Sequence, residues 1–109
     1  MAYNEALAER IRQILAGEPA TERKMFGGIA FMIGGNMLVG VTRDDLMVRV
    51  GAAAHEDSLA RPHARPMDFT GRPMKGMVYV GPEGYASDVD LHGWVKRGLS
   101  HARALPPKK

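Results

Sequence analysis

Apolar positions along this chain change their period several times, and each change marks an element. Leu7, Ile11, Ile14 and Leu15 fall at i, i+4, i+7 and i+8, the spacing that gathers side chains on one stripe of an α-helix. Glu5, Glu9, Arg10 and Arg12 take the other faces. A helix over about 4–16 follows, with Asn4 placed to cap its first turn and Gly17 ahead of Glu18-Pro19 to stop it. From Arg23 to Ile33, β-branched and aromatic residues sit beside a glycine pair, which predicts one strand kinked or bulged at Gly27-Gly28. Gly34-Gly35-Asn36 is a hairpin signal, after which Met37–Val41 reads as a second strand. Beyond the turn at Arg43-Asp44-Asp45 comes a third, with Leu46, Val48 and Val50 facing one way and Met47 and Arg49 the other.

The second half repeats the alternation of classes. Ala52–Ala60 holds good helix formers with few large apolar side chains, predicting a short exposed helix that stops where Arg61 precedes a proline. The stretch 61–66 is extended or turning, Met67–Phe69 a short strand, Thr70–Pro73 a turn and Met74–Val80 a final strand. Ser87 and Asp90 have capping-box spacing, so the last helix starts near Asp88. Its buried stripe is Leu91, Trp94, Val95, Gly98 and Ala102, with Leu99 at the edge and Lys96, Arg97 and Arg103 in water. The fold class this predicts is α+β, a two-layer sandwich of an antiparallel sheet with helices, in the order α-β-β-β-α-β-β-α. One domain over 1–105 is expected, with 106–109 as a disordered tail.

Composition narrows the function more than the fold. The 109 residues are 45% hydrophobic and 25% charged, ordinary globular usage. Cysteine is absent, which removes disulfides and thiolate metal sites and fits a cytoplasmic protein. Neither a signal peptide nor a membrane span is readable. The formal charge is +3, and Arg61, Arg65, Arg72 and Lys75 against the single Asp68 account for the whole excess within one proline-rich segment.

Catalytic chemistry finds little purchase. His55, His63, His92 and His101 include no pair three or four residues apart, so no metal site is predicted. Ser58, Ser87 and Ser100 stand in no nucleophile elbow. The paired acids Asp44-Asp45 and Asp88/Asp90 suit a turn and a helix start. Gly27-Gly28 is followed by a strand pattern, where a phosphate loop needs a helix. No catalytic residue and no cofactor is expected. The basic segment has three readings: a loop that proline merely rigidifies, a protein-binding surface of arginines beside Met67, Phe69, Met74 and Met77, or a nucleic-acid site with Phe69 and Tyr79 as its nearby stacking rings. The candidate site residues are Arg61, Arg65, Arg72 and Lys75. An open sheet with free edges also makes a homodimer reasonable.

The runs Arg23-Lys-Met-Phe-Gly-Gly-Ile-Ala-Phe-Met32, Asn36-Met-Leu-Val-Gly-Val41, Leu46-Met-Val-Arg49 and Arg61–Val80 resemble the N-terminal domain of the TfoX/Sxy family over almost the whole chain. The resemblance implies a two-layer α/β domain of the order given above. It also implies a non-enzymatic regulatory role, since the best-known members are bacterial regulators of competence genes that act with a cyclic-AMP receptor protein at promoters. Those longer members carry a second domain, and this sequence reads as a stand-alone N-terminal one. The partner expected is a protein, with transcription machinery as the class the resemblance suggests and direct nucleic-acid binding through 61–75 as the alternative.

Overall fold

The computed structural model describes residues 3–25, 27–66 and 76–105. Helix α1 runs Glu5–Ile14, and Asn4 caps it by accepting the Leu7 N–H at 3.0 Å. Four strands follow: β1 Ala20–Met25, β2 Gly28–Ile33, β3 Asn36–Thr42 and β4 Asp45–Arg49. A 3-10 turn at Ala52–Ala54 leads into α2, His55–Leu59. Strands β5 (Ala64–Pro66) and β6 (Met77–Val80), the one-turn α3 (Pro82–Tyr85) and the long α4 (Asp88–Ala104) complete the order. All six strands form one antiparallel sheet in the order β1-β2-β3-β4-β6-β5.

The α+β class and the outline of its order hold, with three local differences. The segment read as one kinked strand is two strands of a hairpin, because Gly27 adopts φ 72 and the chain reverses there. Gly28 packs against β3 so closely that a Cβ would stand 1.9 Å from the Val41 carbonyl oxygen. Within the stretch read as extended or turning, Ala64–Pro66 pairs with β6, while the strand expected at Met67–Phe69 lies outside the described residues. The turn-like Gly81–Gly84 region contains α3, whose Tyr85 hydroxyl donates to the Asp44 carbonyl at 2.6 Å. Burial first, then the charges of Asp44 and Asp45, push that phenol's pKa up.

Both faces of the sheet are buried. Toward the helices, Phe31, Leu38, Val39, Leu46, Val48 and Val78 meet Leu7 and Ile11 of α1 and Leu91 and Val95 of α4. Gly98 lets α4 lie on β3, since a Cβ there would stand 2.2 Å from the Leu38 carbonyl oxygen. On the other face Ala30, Met32, Met37, Met47 and Met77 form a second cluster with Tyr79 against it. Gly40 leaves the gap into which the Met47 and Met37 methyl groups converge. Strand β1 is fastened to α1 by a two-pronged contact from Arg12 to Glu22, at 2.8 and 2.9 Å. The guanidinium holds the Glu22 carboxyl below its usual range.

Candidate functional site

The basic segment begins where α2 ends. The Arg61 N–H donates to Ser58 O at 3.1 Å, and the Ala64 N–H returns to Arg61 O at 3.3 Å. His63 sits at the crest of this turn at φ 67, uncommon for a residue with a Cβ. Its carbonyl accepts the Gly81 N–H at 3.1 Å, tying the turn to the end of β6. Arg61 is exposed and lines a hollow of about 210 Å³ together with His63, Glu83, Asp90 and Trp94.

Arg65 is placed by strand pairing. It stands opposite Tyr79, with its guanidinium carbon 4.8 Å from the ring centroid, and donates to Asp45 at 2.7 Å. About half of the side chain, 49%, remains exposed. The charge at this position is therefore partly neutralised and held over an aromatic face. Arg72 and Lys75 lie outside the described residues. The structure thus places Arg61 and Arg65 at the two ends of a short turn and strand, each with carboxylates nearby.

The far end of the segment is also anchored. Gly76 donates its N–H to His55 Nδ1 at 2.9 Å, and its carbonyl accepts from Val50 and Gly51 at 2.8 and 3.1 Å. This contact gives the buried His55 ring a hydrogen-bond partner. Among the described residues, no group of three or more His, Asp or Glu side chains is arranged to hold a metal ion.

A second hollow, of about 520 Å³, lies between the 50–54 stretch and α4. Its rim carries Lys96, Arg97, Ser100 and His101, with Gly93 and Ala104 on the same helix face. Arg97 is committed: it donates to Asp57 and to Ser58 of α2, both at 3.1 Å, and lies 5.6 Å from the Trp94 ring centroid. His101 packs over Gly51, where a Cβ would stand 2.5 Å from its Nδ1. Burial, then the charge of Arg49, lowers the His101 pKa from the ordinary histidine value. The sequence reading placed Lys96 and Arg97 in water and gave them no role. The signal that could have found them is the 93, 96/97, 100/101, 104 spacing, a second stripe beside the buried one.

A scan of family models matches the TfoX N-terminal domain over residues 12–102. The chain belongs to the TfoX N-terminal domain family. The matched span starts inside α1 and ends inside α4, so it takes in the whole sheet of this TfoX domain, the smaller hollow and all of the larger one's lining except Ala104. No curated protein and no solved structure matches the chain. No helix among the described residues of the TfoX domain is long and apolar enough to cross a membrane.

Proposed function

We propose that this TfoX N-terminal domain is a non-enzymatic, cytoplasmic regulatory module of the competence-regulator kind that binds a partner protein through the surface around Arg61 and Arg65. The observation that carries the reading is Arg65. It sits on the outermost strand, half exposed, pre-positioned by Asp45 and stacked on Tyr79. Arginine and tyrosine held in this way are the residue types that dominate binding energy at protein interfaces. An arginine already paired with a carboxylate has less charge to offer phosphate, which weighs against direct nucleic-acid binding here. Arg72 and Lys75 are the remaining cations of the same sequence segment.

The test compares wild type with Arg61→Ala/Arg65→Ala in quantitative capture from native lysate. Loss of a specific partner is expected with little change in stability, because exposed ion pairs contribute only about 0–1 kcal/mol. An unchanged partner list removes the assignment. Binding to duplex or single strand that falls steeply with salt would transfer the surface to nucleic acid.

A further inference from the structure

We infer that the hollow between the 50–54 stretch and α4 takes an acidic segment of the partner protein, an inference that rests on the protein-binding reading above. Three observations converge. The hollow is large, about 520 Å³, and floored by small residues: Gly51, Ala52 and Ala53 on one wall and Gly93 on the other. That leaves room for short apolar side chains of an incoming chain. Its rim carries the exposed ammonium of Lys96 and the half-buried guanidinium of Arg97, and none of the lining residues is acidic. Arg49 acts electrostatically on His101 from the adjoining strand end, adding a further positive charge. Among the described residues Lys96 and Arg49 enter no ion pair, unlike Arg65 and Arg97.

Gly76 lies against one wall of the hollow. Gly76 follows Lys75 directly and touches the floor: a Cβ on it would stand 3.1 Å from the Gly51 carbonyl carbon and 3.2 Å from the Ala52 nitrogen. Carboxylates suit the rim by charge, and the geometry favours a peptide over a nucleic-acid strand. Base recognition needs aromatic platforms, and the lining offers no Phe, Tyr or Trp.

The decisive experiment titrates isotopically labelled protein with short synthetic peptides graded from acidic to basic, and with oligothymidylate. Acidic peptides should bind in order of charge and move the amide signals of Gly51, Gly93 and Ser100. Lys96→Glu, at an exposed position, should weaken them roughly tenfold or more, the scale of a lost charge-assisted contact. It should also favour basic peptides. His101→Gln provides a milder second variant. Acidic peptides that bind elsewhere, bind regardless of charge, or survive Lys96→Glu overturn the inference, as does oligothymidylate occupying the same amides. If Lys96→Glu retains the captured partner while Arg61→Ala/Arg65→Ala loses it, the hollow is excluded and the protein-binding reading stands. If acidic peptides fill the hollow but wild type captures no partner, that reading alone fails.

Discussion

The Gly76 N–H has its acceptor in His55 Nδ1, and both residues are buried. Replacing His55 by Ala strands that donor, and a buried unsatisfied group costs about 1–3 kcal/mol. Urea unfolding should show a loss of that order. His101 gives a different signature. Its folded-state pKa lies below the unfolded value because burial, followed by Arg49, disfavours the charged ring. The unfolded chain therefore binds the proton more readily, and stability falls as pH drops below the ordinary histidine value, levelling off beneath the folded pKa. Urea midpoints of wild type should decline between about pH 7.5 and about pH 5.5 more than those of His101→Gln. Equal slopes would show that His101 carries no such linkage.

At the scale of elements, α4 and β1 show opposite relations between pattern and position. The α4 stripe Leu91, Trp94, Val95, Gly98 and Ala102 is buried as its period predicts. The Ser87 cap is present too, its hydroxyl accepting the Asp90 N–H at 3.1 Å. Gly98 is the one small residue on which the approach to β3 depends. Gly98→Ala would drive a Cβ into backbone, which cannot move aside as a side chain could, and overpacking of this kind costs about 1–3 kcal/mol. Calorimetry should show a lowered melting temperature despite alanine's better helix propensity. The start of β1 and its separation from β2 escaped the sequence reading because Thr21, Glu22, Arg23 and Lys24 are all exposed at the sheet edge and leave no apolar alternation to detect. Charged side chains on such an edge also discourage pairing with another chain.

For the whole molecule, the sheet was readable where one face is apolar and its neighbours are close in sequence. The alternation of Leu46, Val48 and Val50 against Met47 was resolved correctly, with the first three in the helix-facing core and Met47 in the opposite cluster. The candidate site was readable only as a stretch of charge. That Arg65 would meet Asp45 and Tyr79 depends on β6 lying between β4 and β5. The second hollow needs residues 50–54 brought beside α4, a packing relation that no local pattern encodes.

The same strand order has a kinetic consequence. From β1 to β4 each neighbour is the next strand in sequence, so these pairs can zip as hairpins, whereas β6 joins β4 only after the 50–76 connection closes. Local pairs form early and distant ones carry the closure entropy. In stopped-flow measurements, Leu38→Ala should mainly slow refolding, while Val78→Ala should mainly speed unfolding. The Arg61–Lys75 stretch lies wholly within that late-closing connection. Since closure cost rises only by about 0.6 kcal/mol per doubling of loop length, insertions in that connection should leave the zipping of the β1–β4 meander intact, so the chain can change length there without changing the order in which its sheet assembles.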